Sequence, residues 1–188
     1  VYNILKKENK KKSIGIYGLG SVGFFSLLAA KCLGFKKIFV IEKNKEKIKL
    51  LKKMKIDIID HQNSISEIKK KNNNQLLDYC FESAGYAKTI ENAFSLINNR
   101  GSCYTSSHPD YKEKIKIYPH DLIKGKKLFG SWGGYTNPDK DFNVYNKLIS
   151  KEIKLMKYMK IKEYKFEDIN KAINDFSKNK IIKPLIRC

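Results

Sequence analysis

The chain has 188 residues, 41% of them hydrophobic and 12% aromatic, which suffices for one folded domain, or for one domain plus a fragment of another. This composition argues against disorder, the apolar runs are too short to span a membrane, and no signal-peptide pattern opens the chain. The formal net charge is +20, but 37 of the 39 basic residues are lysines spread along the chain, whereas specific nucleic-acid recognition favours arginine, so we expect no specific nucleic-acid partner.

Four cysteines are scattered through the chain without C-x-x-C pairs: Cys32, Cys80, Cys103 and Cys188. We expect free thiols in a reducing compartment, and therefore a cytoplasmic protein. The chain begins with valine rather than methionine, from which we expect that a preceding segment has been removed. The first twelve residues are predicted to be the end of a helix and a basic turn.

The stretch from Ser13 to Gly23 organises the prediction. An apolar strand over residues 14–17 runs into Gly18-Leu-Gly-Ser-Val-Gly23, and an apolar helix is predicted over residues 24–33. The first glycine permits a tight turn, the second lets backbone approach a pyrophosphate, and the third lets the helix lie close to the strand. The helix N-terminus then offers free N–H groups to phosphates.

An acidic residue follows the next predicted strand, which covers residues 38–41. Glu42 lies 19 residues after Gly23, near the spacing of a carboxylate that binds a ribose diol. The pattern therefore predicts a dinucleotide-binding unit, against the alternative of a glycine-rich turn with an unrelated acid.

Strands and helices continue to alternate with short connections. Helices are predicted over residues 46–53, 64–71 (with Ser64 and Glu67 as a capping box) and 87–97. Strands are predicted over residues 56–59, 76–81, 102–105 (after a turn at 98–101) and 127–131. The alternation predicts an α/β fold, a doubly wound parallel six-stranded sheet of the Rossmann type over residues 13–131.

Residues 132–188 do not repeat this alternation. They contain a glycine-rich loop, a helix over 142–150, an extended segment over 160–164, an amphipathic helix over 166–176 and a closing strand over 181–186.

In order and spacing these features resemble the C-terminal half of the zinc-type alcohol dehydrogenases of the medium-chain dehydrogenase/reductase superfamily. The motifs that carry the resemblance are the glycine motif, Ile41-Glu-Lys-Asn-Lys-Glu-Lys47, Phe81-Glu-Ser-Ala-Gly85, Leu128-Phe-Gly-Ser-Trp-Gly-Gly134 and Lys183-Pro-Leu-Ile186. The resemblance implies an NAD-dependent oxidoreductase that interconverts an alcohol or polyol with its aldehyde or ketone. It also implies that residues 132–188 complete a catalytic domain of which the other part is absent.

The resemblance also implies which residues bind NAD: Gly18, Leu19, Gly20, Ser21, Val22, Gly23, Glu42, Lys43, Lys47, Ser107, His108 and Lys183. A carboxylate at the ribose favours NAD over NADP by repelling a 2′-phosphate, although flexible lysines nearby could partly accommodate that phosphate. Lys183 would contact the pyrophosphate, and Ser107 and His108 would lie near the nicotinamide through main-chain groups.

For three further residues a structural role competes with a chemical one. His108 could relay protons, but a loop residue used through its backbone is favoured. Trp132 is predicted to anchor a domain junction rather than to stack on substrate. Glu82 is predicted to hold the loop after the fourth strand through hydrogen bonds rather than to act as a base.

In the family that the chain resembles, zinc polarises the alcohol oxygen, and its ligands precede the first strand. No His or Cys cluster of that kind occurs here, so we expect no metal site and no catalytic residue in this chain, which alone should bind dinucleotide without catalysis. The resemblance further implies a homodimer through the sheet edge. Two alternatives stay open, a non-catalytic NAD-binding module and a zinc-free quinone or enoyl reductase, and Glu42 argues against the second.

Overall fold

Six parallel strands form one sheet in the order β3-β2-β1-β4-β5-β6. The computed structural model describes all 188 residues. The strands are β1 (Ser13–Tyr17), β2 (Lys37–Ile41), β3 (Asp57–Ile59), β4 (Leu77–Glu82), β5 (Ile97–Thr105) and β6 (Lys127–Gly130). The predicted six-stranded, doubly wound parallel sheet is confirmed.

Helices connect and cover these strands: α1 (Tyr2–Leu5), α2 (Ser21–Cys32), α3 (Lys45–Lys53), α4 (Ser64–Lys71), α5 (Ala87–Ser95) and α6 (Pro119–Ile123). The first turn of α6 begins with Pro119, whose missing N–H would have had no partner there. This short helix lies in the connection between β5 and β6, where the sequence pattern predicts an irregular segment.

Alternate residues of the strands pack to opposite faces of the sheet and form two cores. One face carries a cluster of 18 buried hydrophobic residues, which includes Ile14, Ile16 and Phe24. The other carries a cluster of 12, which includes Phe39 and Phe94. Burial on both faces is why the central strands β1, β2 and β4 are largely apolar.

The strand order places β1 between β2 and β4, so the chain winds outward in two directions from this pair. At such a switch point the connections leave in opposite directions and open a crevice at the carboxyl ends of the strands, where ligands of this architecture bind. The crevice is therefore flanked by the residues that directly follow β1, β2, β4 and β5.

The predicted turn at residues 98–101 lies inside β5. Ile97 pairs with Leu77 and Ser102 pairs with Tyr79, so the four residues between them bulge out of the ladder. Arg100 in this bulge has a φ of 65°. The prediction that the preceding helix extends to Ile97 is wrong, because this residue already pairs with β4.

The predicted capping box at Ser64 and Glu67 is wrong as well. Helix α4 begins at Ser64 and Asn63 is the residue before it, so Ser64 lies inside the first turn. Glu67 turns away from the helix start, and its Oε2 accepts the backbone N–H of Asp60 at 2.9 Å.

The C-terminal lobe, residues 132–188, comprises α7 (Pro138–Lys151), α8 (Ile153–Met156), β7 (Ile161–Lys165), α9 (Ile169–Ser177) and β8 (Lys183–Arg187), with short 3₁₀ turns at Gly133–Tyr135, Lys157–Met159 and Phe166–Asp168. Strands β7 and β8 form a separate two-stranded parallel sheet. Met159 and Ile182 pack into the first core of the large sheet and join the lobe to it. None of the helices combines the length and the apolar character of a membrane-spanning segment.

Candidate cofactor-binding site

The three glycines of the motif occupy three different environments. Gly18 has a φ of +89°, and a Cβ there would lie 2.9 Å from the Cβ of Ala84. A Cβ on Gly23 would overlap the carbonyl oxygen of Gly18, so helix α2 packs directly on the turn. Gly20 has no heavy atom within 4 Å of its Cβ position, so this glycine borders open space. The turn, the open approach and the close packing expected of a phosphate loop are all present.

Helix α2 starts within the motif and directs its N-terminus into the crevice. Ser21 is its first residue, and the first α-helical hydrogen bond runs from the Phe24 N–H to the Gly20 carbonyl at 2.9 Å. The N–H groups of Ser21, Val22 and Gly23 therefore have no partner within the helix, and they add to the positive end of its dipole. This turn can bind an anionic group, phosphate above all.

Glu42 follows β2 directly and is almost entirely buried. Its Oε2 accepts the backbone N–H of Leu19 at 2.9 Å, and its Oε1 accepts those of Lys43 at 2.8 Å and Asn44 at 2.9 Å. A carboxylate has about four lone-pair positions, so one remains for a ligand hydroxyl. Glu42 thus ties the glycine loop to the end of β2, a role that sequence reasoning missed because the donors are backbone groups.

Two predicted ligand residues follow Glu42 on the rim of the crevice. The Lys43 ammonium lies 5.8 Å from the ring centre of Tyr86, a residue of the loop after β4. Lys47 lies in the first turn of α3, where its backbone N–H donates to the Oδ1 of Asn44 at 3.1 Å. Neither lysine forms an ion pair with a carboxylate of this chain, so both ammonium groups are available to an anionic ligand.

The structure brings Lys183 to the start of α2, although the two are far apart in sequence. The Ser21 hydroxyl donates to the carbonyl of Ile182 at 3.2 Å. Lys183, Ser21 and Val22 line one cavity of about 450 Å³, which is largely apolar. Lys183 therefore lies beside the first turn of α2.

Ser107 and His108 follow β5 on the other side of the crevice. The Ser107 hydroxyl donates to the carboxylate of Glu82, the last residue of β4. The His108 ring packs edge-on against Trp132, with the ring centres 5.2 Å apart and the planes at 74°. The predicted hydrogen-bonding role of Glu82 is confirmed, since the N–H groups of Ala84 and Gly85 donate to its Oε1 at 2.8 and 3.1 Å.

The donor set of this chain does not fit a zinc ion. No three His, Cys, Asp or Glu side chains converge, and all four cysteines are free thiols. Cys80 and Cys103 are neighbours on β4 and β5. Burial raises the pKa of Cys103 to about 12 and that of Cys80 well above its usual value, so neither offers a ready thiolate.

Residues 21–173 of the chain match the sequence pattern of the zinc-binding dehydrogenase family. The chain belongs to this family. It is 28% identical over 184 residues to alcohol dehydrogenase-like 5 of Arabidopsis thaliana and 25% identical over 187 residues to alcohol dehydrogenase 2 of Zea mays. These alignments cover 94% and 96% of this chain but 47% and 49% of the relatives, so the chain spans about half their length. The half that it matches is the C-terminal one.

Solved structures share the fold. Benzyl alcohol dehydrogenase from Acinetobacter calcoaceticus superposes with a TM-score of 0.87 at 23% identity, over 98% of this chain and 52% of that enzyme. 2R,3R-butanediol dehydrogenase from Bacillus subtilis superposes with a TM-score of 0.79 at 19% identity, over the whole chain and 54% of its own. The chain therefore has the same Rossmann-like fold as the matching half of these two enzymes.

Proposed function

We propose that this chain is the NAD-binding half of an oxidoreductase that interconverts an alcohol or polyol with its aldehyde or ketone. The observation that carries the proposal is the clamp of Glu42 on the glycine loop, directly beside the free N-terminus of α2. The nicotinamide, when bound, supplies the hydride acceptor. The residues of this chain hold the ribose, the pyrophosphate and the nicotinamide edge.

Glu42 supports NAD rather than NADP. Its carboxylate has one free lone-pair position for a ribose hydroxyl, and a 2′-phosphate in its place would meet a negative charge. Lys43 on the rim is exposed and Lys47 is half-buried, and both are long, flexible side chains, so they offset this repulsion only partly. Lys183, which lies beside the start of α2, would neutralise the pyrophosphate.

The test is calorimetric binding of NADH and NADPH to the chain and to a Glu42→Gln variant. Gln keeps one acceptor for the backbone donors but loses the charge, so NADH affinity should fall about tenfold and the preference over NADPH should shrink. Tighter NADPH than NADH binding by the unmodified chain would contradict the proposal and favour the zinc-free reductase alternative. Binding of neither dinucleotide would refute the cofactor role.

We also propose that the lobe of residues 132–188 completes a catalytic domain whose zinc ligands lie in another part of the protein, so that this chain alone is inactive. In support, Phe166, Ile169, Ile173 and Phe176 of α9 and the turn before it form an exposed apolar stripe, as an interface requires. The coding sequence upstream of Val1 tests this. Cysteines and a His-Glu pair at zinc-ligand spacing would support it, and their absence would favour a non-catalytic NAD-binding module.

A homodimer through the edge of the large sheet is a further proposal. Strand β6 is an edge strand with free backbone groups, and Phe129 on it is 39% exposed. Sedimentation that finds only monomer at micromolar protein would contradict this.

The neighbouring unlinked thiols Cys80 and Cys103 support a reducing compartment, and we propose the cytoplasm.

A further inference from the structure

Glu82 is a buried carboxylate at the floor of the crevice that has no cationic partner. It is the last residue of β4, and its side chain is completely inaccessible to solvent. It pairs in register with Tyr17 of β1 on one side and Thr105 of β5 on the other. No lysine, arginine or histidine of this chain lies within ion-pair distance of it, despite the large basic excess. A buried charge without a counterion persists only where hydrogen bonds stabilise it.

Both carboxylate oxygens of Glu82 are surrounded by donors from different segments. Besides the N–H groups of Ala84 and Gly85, the Thr89 hydroxyl of α5 lies 2.8 Å from Oε1. The hydroxyls of Thr105 and Ser107 donate to Oε2, the former at 3.1 Å. One oxygen thus binds the loop after β4, and the other binds the loop after β5.

The backbone of the same residue extends this network. The carbonyl oxygen of Glu82 accepts both the N–H and the hydroxyl of Ser106 at 3.1 Å. Ser83, the next residue, donates its hydroxyl to the carbonyl of Gly18 at 3.0 Å. The glycine loop and the loop that carries Ser107 and His108 are therefore joined through Glu82 and its neighbour.

We propose that Glu82 is the positioning residue for the nicotinamide half of the cofactor site. It fixes the loop after β5 in the position in which Ser107 and His108 meet the nicotinamide, while Glu42 fixes the adenosine half. The inference rests on the proposed NAD-binding function and deepens it. The geometry divides the site into two halves held by two carboxylates, one at the end of β2 and one at the end of β4.

Two ligands that differ in the nicotinamide test this division of the site. NADH carries the nicotinamide ring, whereas ADP-ribose keeps both riboses and the pyrophosphate and lacks only that ring. In a Glu82→Gln variant one oxygen becomes an NH₂ group facing hydroxyl donors, so the affinity for NADH should fall about tenfold and that for ADP-ribose should stay within about twofold. Glu42→Gln should weaken both ligands alike, and exposed Glu167→Gln is the control that should change neither.

A Ser107→Ala variant tests the same point if Glu82→Gln does not fold. It removes a single hydroxyl, leaves the main chain and the loop after β4 in place, and should again weaken NADH but not ADP-ribose. The Glu82→Gln, Ser107→Ala double variant should lose less NADH-binding free energy than the two single variants combined, because both changes affect the same hydrogen bond between Ser107 and Glu82.

The outcomes distinguish the inference from the proposed function. If the unmodified chain binds neither ligand, the proposed function fails and the inference fails with it. If the unmodified chain binds both but Glu82→Gln or Ser107→Ala weakens both equally, or neither, then the positioning role is wrong while the cofactor role stands.

Discussion

The large sheet and the C-terminal lobe differ in how completely each buries its apolar residues within this chain. Clusters of 18 and 12 hydrophobic residues cover the two faces of the large sheet, and its buried carboxylates Glu42 and Glu82 each accept several hydrogen bonds. In the lobe, the β7–β8 pair and α9 share a core of only three residues, Tyr164, Ala172 and Ile181. One region is complete within this chain, whereas the other presents apolar surface for a further partner.

This contrast separates two kinds of inference. A site whose polar groups are already positioned by backbone donors can be interpreted from this chain alone. A surface with an unpartnered stripe indicates only that something covers it, and what covers it must be found outside the chain.

The largest expected effect is on stability, and it comes from replacing one phenylalanine in each region with alanine. Phe94 is almost fully buried under the large sheet, whereas Phe176 on α9 is 52% exposed. Phe94→Ala should reduce the free energy of unfolding by roughly 3–5 kcal/mol, and Phe176→Ala by no more than about 0.5 kcal/mol. Urea unfolding of both variants measures this. Equal losses would mean that the lobe is packed as tightly as the sheet.

A second comparison lies within the glycine motif. Gly23→Ala places a methyl group against the Gly18 carbonyl and should cost about 1–3 kcal/mol of stability as well as dinucleotide binding. Gly20→Ala meets no atom of the chain, so stability should stay within about 0.5 kcal/mol while NADH affinity falls, because the methyl group enters the ligand's space. If Gly20→Ala binds NADH normally, the phosphate does not approach this residue.

The smallest expected effect is a pH dependence of stability that arises in the C-terminal lobe. Asp175 accepts from the Lys180 ammonium at 3.1 Å and from the Tyr164 hydroxyl at 2.9 Å, and these bonds lower the pKa of its carboxyl. Since the folded-state pKa lies below the unfolded value of about 3.9, the contribution is complete at neutral pH and disappears as pH falls through the depressed pKa. Asp175→Asn should therefore destabilise the chain slightly at about pH 7, and by progressively less as pH falls below the unfolded-state pKa. A difference that grows in acid, in urea unfolding, would reverse the assignment.

The sequence predicts most of the sheet because apolar runs, glycine spacing and the acid after the second strand are local signals. It does not predict that Leu19 donates to Glu42, or that Ser107 and Thr89 converge on Glu82, because these contacts join segments that only the tertiary fold brings together. The two errors, at Ile97 and at the Ser64–Glu67 pair, have the same origin. Pairing with Leu77 overrides the helical pattern at Ile97, and the N–H of Asp60 attracts Glu67 away from a cap.

Hydrogen exchange of the backbone amides with and without NADH tests the central claim most directly, because it compares the two regions in one experiment. The account predicts slower exchange on NADH binding at residues 18–23, 42–47 and 105–108, and unchanged exchange across β7, α9 and the apolar stripe. Protection confined to the lobe, or NADH binding that leaves the glycine loop unprotected, would contradict it.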